Sequence, residues 1–239
     1  MYAYLVYYIL GFVMIPGIIL GIIAEIRVKT TFDEYNRIKT SRGRTAKEVA
    51  RLMLDGAGYS DTEIQEVHGE LSDHYNPKTN TVSLSKSTAN KSSVAAIGVA
   101  AHEIGHVFQH KQNYAPVKIR SALVPILNIS SFLMWPLIIL GLILEIIYYS
   151  TWSTVLIYIG VGIYALNTLF CLITLPVEIN ASKRAYDMLV STNEMTEEEA
   201  KSAKKVLNAA AWTYVAALVT SILSLIRVLL FVFSMRERR

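Results

Sequence analysis

The residue types with the clearest chemistry lie near the middle of the chain, in the run His102-Glu103-Ile104-Gly105-His106. Histidines four residues apart lie on one face of a helix, about 6 Å apart along its axis, so both imidazoles can bind one metal ion. Glu103 follows the first histidine, where its carboxylate can accept a proton from a water on that ion without being a ligand. This HExxH spacing is typical of a catalytic zinc site.

The segment around the motif is predicted to be a helix. Residues 94–112 contain no proline and many Ala, Val and Ile residues. Ser92 and Ser93 precede this segment, and serine is a favoured N-cap residue. The pattern therefore predicts a buried helix that carries both histidines.

The same helix does not supply a third metal ligand. His110 lies about 12 Å along the axis from His102, too far to share one ion. Gln109 and Gln112 occupy the positions that the longer HExxHxxGxxH motif reserves for glycine and histidine. That class of zinc peptidase is therefore excluded.

The composition predicts a membrane protein. Hydrophobic residues make up 53% of the chain, and the mean hydropathy is +0.37. A helix needs about 20 apolar residues to cross a hydrocarbon core about 30 Å thick. Transmembrane helices are predicted at four segments, the last of which contains Arg227: 1–24, 125–149, 150–175 and 208–234.

The charged residues predict the topology. The net charge is +4, and the basic residues flank the apolar segments rather than alternating with aromatic residues, which argues against nucleic-acid binding. They concentrate in 25–124 and after the third span, so the positive-inside rule predicts that this face is cytoplasmic. The basic tail at 236–239 conflicts with this orientation if the fourth segment crosses fully. Cys171 is the single cysteine, which excludes a disulfide framework.

The segment 25–124 is predicted to be an exposed catalytic domain with the HExxH helix. Thr45 and Glu48 form a capping box that begins a helix. A turn at 76–80 precedes a predicted strand, which would form a short hairpin. In many zinc peptidases an edge strand binds the extended substrate, and the strand predicted for this role comprises Thr81, Val82, Ser83 and Leu84. A hairpin that only covers the metal helix is the alternative.

The segment 176–207 is predicted to be a second exposed piece, largely helical. Thr196 caps a helix there, and the acidic run Glu197-Glu198-Glu199 stands in its first turn. We interpret this run as a solvated helix start.

The third metal ligand is predicted from the order of the spans. A catalytic zinc usually has three protein ligands and one open position for water. Between residues 107 and 177 the single acidic residue is Glu145, predicted near the opposite membrane face. Glu178 is the first acidic residue after the chain has crossed and returned, and it is predicted to open a helix beside both histidines. Four alternatives remain: Asp187, Glu194, His74 and His68.

Three segments of the chain carry a family resemblance: residues 100–106 around the HExxH motif, Asp73-His74-Tyr75-Asn76-Pro77, and 175–182 around Glu178. They resemble the signatures of the YugP-like membrane zinc metallopeptidases, and the likeness extends over nearly the whole chain. The last segment is also similar in role to the glutamate helix of the HtpX-type membrane proteases. The resemblance implies a zinc peptidase in which a glutamate completes the HExxH site.

The predicted fold is mainly α, a multi-pass membrane helical bundle with a small α+β zinc-metalloprotease domain that carries a short β-hairpin. The predicted function is hydrolysis of peptide bonds by a zinc endopeptidase in the cell membrane, with its active site on the cytoplasmic side. The predicted substrate is a membrane-associated or unfolded polypeptide. The alternatives are a catalytically inactive membrane scaffold or metal-binding protein, and a zinc hydrolase of a non-peptide substrate.

The predicted site binds one Zn²⁺ per chain. His102, His106 and Glu178 are the metal ligands, and Glu103 is the general base. A donor must also stabilise the oxyanion that forms on the substrate. The candidates for this role or for substrate contact are His74, Tyr186 and Arg184.

Overall fold

The computed structural model describes residues 11–70, 72–148 and 151–236. A 3₁₀ turn at Phe12–Met14 precedes seven helices in these residues: α1 Ile15–Tyr35, α2 Ala46–Gly56, α3 Lys86–Ala89, α4 Val94–Lys111, α5 Ala115–Tyr148, α6 Thr151–Ser191 and α7 Glu197–Arg236. The strands are β1 Glu63–Val67, β2 His74–Asn76 and β3 Thr81–Ser85. The prediction of a mainly helical protein with a small sheet is confirmed.

Contacts divide the described residues into two compact units. The first comprises the described residues of 11–23, 118–175 and 214–236, and the second comprises Ala24–Val117 and Pro176–Thr213. The second unit contains the HExxH motif, Glu178 and the whole sheet. All residues predicted to act in the site therefore belong to one compact body.

The described helices include two that are long and apolar enough to cross a membrane, Trp152–Ser191 and Glu197–Ser234. The pair Ala115–Ser130 and Phe132–Glu145, bent by 44°, is a third if it forms one span. Residues 1–10 of the first predicted span, the link at 149–150 and the tail at 237–239 lie outside the described residues. The helices indicate membrane association, and the membrane boundaries and the number of spans stay predictions.

The predicted capping box at Thr45 and the predicted cap at Thr196 are confirmed. The hydroxyl of Thr45 accepts from the backbone N–H of Glu48 at 3.3 Å, and the Glu48 carboxylate accepts from the N–H of Thr45 at 2.8 Å. At the start of α7 the same reciprocal bonds join Thr196 and Glu199, at 3.2 and 2.8 Å. Each pair satisfies donors that a helix N-terminus leaves without partners.

Helix α2 forms one wall of the core of the second unit. Its apolar residues recur at helical spacing, and the buried set packs against α4: Ala46, Val49, Ala50, Met53 and Leu54. The metal helix α4 is in consequence enclosed along much of its length, and many of its apolar residues are fully buried.

The sheet corrects one prediction. β3 pairs in parallel with β1 and antiparallel with β2, which gives the strand order β1-β3-β2. The hairpin and the strand were predicted, but Thr81, Val82, Ser83 and Leu84 do not form a free edge. They are buried in the central strand, where both backbone edges already bond to neighbours. An extended substrate cannot add to an edge that is already paired.

Helix α6 corrects a second prediction, which concerns where the helix that carries Glu178 begins. Glu178 was predicted to open a helix, but α6 is continuous from Thr151 to Ser191 and passes through Pro176. Proline removes one backbone donor inside a helix without necessarily ending it, and an apolar helix tolerates it when neighbouring groups satisfy the backbone. One continuous helix therefore contains both the predicted third span and the segment that carries the third ligand.

Candidate metal centre

The metal helix presents both histidines on one face. Ser93 caps α4 and accepts from the N–H of Ala96 at 3.3 Å, so the helix begins where the serine pattern predicted. The rings of His102 and His106 meet edge to face, with their centroids 4.8 Å apart. Both side chains are half-buried, with 16% and 17% of their surface exposed. Most of the surface of each side chain is therefore shielded from solvent.

Helix α6 brings Glu178 to this pair. The carboxylate oxygen Oε2 of Glu178 lies 3.2 Å from Nε2 of His102 and 3.5 Å from Nε2 of His106. One ligand atom from each of the three residues lies within 4.8 Å of the other two. In the described part of the chain, no other group of three or more His, Cys, Asp or Glu residues meets this condition.

The donor set fits zinc. A tetrahedral ion with ligand bonds of about 2.0 to 2.1 Å separates its ligand atoms by about 3.3 Å, close to the two distances from Glu178. Two imidazole nitrogens and one carboxylate oxygen are the ligands of a common class of catalytic zinc site, which leaves a fourth position for water. Glu178 has only 2% of its side chain exposed, and a buried carboxylate needs a charged partner.

The electrostatics around the two histidines favour a cation. Burial alone lowers the pKa of His106, but its hydrogen bond with Glu178 and the negative charges of Glu103 and Glu178 raise it, and the net pKa lies above the ordinary value. Positive charge is therefore stabilised between these carboxylates. A divalent ion would supply it in place of the proton.

Glu103 lies next to His102 on α4 and is buried, with 8% of its surface exposed. It stands three residues before His106, and its negative charge raises the pKa of that histidine. It is not part of the three-residue group that could hold a metal. A nearby carboxylate that is not itself a ligand is the arrangement that general-base chemistry needs.

Each histidine has a hydrogen-bonding partner behind it. The hydroxyl of Ser182, four residues after Glu178 on α6, lies 3.2 Å from Nδ1 of His102. The side-chain oxygen of Gln109 lies 3.0 Å from Nδ1 of His106. Since both Nδ1 atoms are engaged, both Nε2 atoms are left to face Glu178. Such partners orient metal-binding imidazoles in zinc proteins.

The candidates for oxyanion stabilisation have other contacts. His74 is exposed on β2, and its Nδ1 donates to the carbonyl of Ser72 at 2.9 Å. Tyr186 packs against the core with the ammonium of Lys204 4.8 Å from its ring centre. The Arg184 guanidinium donates to Asn180 at 2.8 Å. Their roles toward a substrate stay predictions.

The alternatives for the third ligand lie outside the cluster. Glu194 pairs with Arg44 at 2.7 Å, and Asp187 and His68 are exposed. Glu178 is the acid that the structure brings to the histidines, as the order of the spans predicted.

The sequence reasoning missed the residues behind the imidazoles. Gln109 was used only to exclude a motif, yet it is fully buried and contacts His106. The available signal was its position three residues after His106, on the same helical face. Asn180 and Ser182 follow Glu178 within about one helical turn, but their role depends on the packing of α4 against α6, which is not a local property of the sequence.

The apolar helices and the group of His102, His106 and Glu178 are the features expected of a membrane-associated zinc metallopeptidase. Comparison with known families agrees with this class. A family model described as "Putative neutral zinc metallopeptidase" matches residues 10–233. The chain therefore belongs to this family, and the family resemblance seen in its three sequence segments is confirmed.

A relative from Bacillus subtilis (strain 168), named "Putative membrane protease YugP", is 38% identical over 226 residues. The match covers 95% of this chain and 97% of that protein. The name of the relative agrees with the membrane association that the two apolar helices indicate. No solved structure matches the chain.

Proposed function

We propose that this protein is a multi-pass membrane zinc endopeptidase that binds one Zn²⁺ through His102, His106 and Glu178. The observation that carries the proposal is the convergence of these three ligand atoms within 4.8 Å, with Glu103 beside the first histidine. Membership in a zinc metallopeptidase family supports the choice of metal and of reaction.

The mechanism assigns separate tasks to the two glutamates. When bound, zinc supplies a Lewis acid that polarises the peptide carbonyl and lowers the pKa of a water molecule. Glu103 accepts a proton from the attacking water and delivers it to the leaving nitrogen. The buried carboxylate of Glu178 offsets part of the charge of the ion and stays a ligand.

The substrate is a polypeptide in extended conformation, and β2 is the strand suited to bind it. Among the described strands β2 pairs only with β3, so its other edge has no strand neighbour. Tyr75 of β2 contacts His110 of α4, with ring centroids 6.0 Å apart, so this strand lies beside the metal helix. Strand addition requires an extended chain, which favours unfolded segments over folded proteins.

The active site lies on the cytoplasmic side of the cell membrane. The second unit carries exposed basic residues that follow the apolar stretches of α1 and α6 along the chain, including Arg27, Lys39 and Lys183. The positive-inside rule assigns such residues to the cytoplasm.

The experiment compares the purified full-length protein with Glu103→Gln, both loaded with zinc, on an unfolded, dye-labelled polypeptide. The substitution keeps the shape of the side chain but removes the base, so we expect cleavage to fall by at least about 100-fold with zinc content unchanged. Glu198→Gln, at an exposed position on α7, is the matched control and keeps full activity.

The other outcomes separate the rival functions. Equal cleavage by Glu103→Gln and the unchanged protein would remove Glu103 from the mechanism. Zinc binding with no cleavage of any polypeptide would favour a scaffold, and hydrolysis of ester lipids alone would favour a non-peptide hydrolase.

A further inference from the structure

A chain of buried and half-buried polar side chains runs behind His106. Gln109 is fully buried, and its amide nitrogen donates to the backbone carbonyl of Val177 at 2.8 Å and to Oδ1 of Asn180 at 3.0 Å. Its amide oxygen faces Nδ1 of His106 at 3.0 Å. Arg184 donates to the same oxygen of Asn180 at 2.8 Å. The network thus connects one imidazole of the metal site to the backbone of α6 beside Glu178.

Two groups set the direction of the hydrogen bonds in this network: the Val177 carbonyl, which can only accept, and the Arg184 guanidinium, which can only donate. A backbone carbonyl can only accept, so the Gln109 group facing Val177 must be its NH₂. The amide oxygen of Gln109 is then left to face His106 and can only accept. Nδ1 of His106 therefore carries a proton, and in the neutral imidazole Nε2 keeps the lone pair that a metal needs.

Asn180 is oriented in the same way from its other side. A guanidinium can only donate, so the atom of Asn180 that faces Arg184 must be its oxygen. That oxygen also accepts from Gln109, and so it holds the Gln109 amide in the required orientation. Arg184 donates in addition to the side chain of Gln112, at the C-terminal end of α4, and its guanidinium lies 5.8 Å from the Tyr114 ring centre.

His102 is held differently. Its partner Ser182 is a hydroxyl, which can donate or accept, so this contact does not impose a tautomer. The two ligands of the HExxH motif thus differ in how strictly their protons are fixed. The position of the proton is therefore fixed more strictly on His106 than on His102.

We propose that Gln109 and Asn180 are positioning residues that hold His106 as the Nδ1–H tautomer with Nε2 directed at the metal, and that Arg184 fixes the orientation of Asn180. The inference rests on the metal site of the proposed function, but not on the substrate or on proteolysis. Residues of this kind typically change metal affinity by about 10- to 100-fold when they are replaced.

The test uses the one feature of Asn180 that the network requires, a side-chain oxygen that accepts hydrogen bonds from both Gln109 and Arg184. Asn180→Asp keeps that acceptor, and Asn180→Leu removes it at similar size. Asn36→Leu is the matched control, because Asn36 is also half-buried and accepts from Ser93, the N-cap of α4, at 2.7 Å. It removes a structural bond at the far end of the same helix.

The measurement is the zinc affinity of each purified full-length variant, by competition with a chelating dye at one fixed pH. We expect Asn180→Leu to bind zinc at least about 10-fold more weakly than the unchanged protein, and Asn180→Asp to stay within about threefold of it. Asn36→Leu lowers the unfolding temperature of the zinc-free protein but leaves its zinc affinity within the same threefold range.

The outcomes separate this inference from the proposed function. If the unchanged protein binds zinc and Asn180→Leu binds it equally well, the positioning role is wrong and the metal site stands. Equal losses in Asn180→Leu and Asn180→Asp, or in Asn180→Leu and Asn36→Leu, would also overturn it. If the unchanged protein does not bind zinc, the proposed function itself fails.

Discussion

Gly105 of the metal helix lies directly against the backbone of Ala181 on α6, so that a Cβ atom at residue 105 would be 2.5 Å from the Ala181 carbonyl oxygen. The glycine sits between the ligands His102 and His106, and Ala181 is three residues after Glu178. The backbones of α4 and α6 therefore meet beside the ligand cluster. This close approach lets a carboxylate on one helix reach two imidazoles on the other.

Gly105→Ala is expected to push the two helices apart. The new methyl group meets a backbone carbonyl that cannot rotate away, and overpacking of this kind costs about 1 to 3 kcal/mol. We expect a lower unfolding temperature and weaker zinc binding, measured by thermal denaturation and metal analysis. Gly56→Ala, where a Cβ would have no atom within 4 Å, is the control and lowers neither the unfolding temperature nor zinc binding. Normal zinc binding by Gly105→Ala would show that the close approach is not needed.

Glu178→Ala is expected to leave the protein with well below one zinc per chain after purification. Removing the carboxylate leaves two imidazoles, and a catalytic zinc site needs three protein ligands. Glu194→Ala is the matched control, because Glu194 is also buried and ion-paired, with Arg44, but lies outside the cluster. It is expected to lose stability and keep its zinc. Full zinc occupancy in Glu178→Ala would contradict the ligand assignment.

Removal of zinc by a chelator is expected to lower the unfolding temperature of the unchanged protein. A ligand present at 100 times its dissociation constant stabilises the folded state by about 2.7 kcal/mol. The measurement is thermal denaturation with and without added zinc. Glu178→Ala should unfold at the same temperature in both conditions. A zinc effect of equal size in the two proteins would mean that the ion acts elsewhere.

The proposed topology predicts the accessibility of a cysteine at residue 78. Lys78 is exposed in the turn between β2 and β3, in the unit that carries the metal cluster. In a Cys171→Ser background, Lys78→Cys should react with a membrane-impermeant maleimide only after the cells are lysed. A permeant maleimide should label it in intact cells. Labelling of intact cells by the impermeant reagent would reverse the orientation.

Local geometry made much of the site predictable. The spacing of His102 and His106 determines their common face, because four residues make about one turn of any helix. The capping boxes that begin α2 and α7 follow from the side chains themselves, since donor and acceptor lie three residues apart. Glu178 was found by a longer argument, from the absence of other acids and the expected return of the chain across the membrane.

The pairing of the strands could not be predicted from local sequence patterns. Residues 81–85 have the composition of a strand, but whether a strand lies at the edge or the centre depends on which segments pair with it. Here β1 aligns in parallel with β3 across a long connection, and this occupies the edge that the sequence pattern left open. Strand order is a property of the assembled sheet.

The sequence by itself determined the ligand types, their spacing on α4 and the helix starts, because these depend on neighbours within about one turn. Only the tertiary structure decided that Gly105 meets Ala181, that Gln109 reaches Asn180 and His106 together, and that Glu178 stands within one continuous helix. Gly105 and Ala181, and likewise Gln109 and Asn180, lie about 70 or more positions apart in the chain, and the place of Glu178 depends on how α6 continues. These contacts arise from the packing of two helices, and a local pattern carries no information about the distance between them.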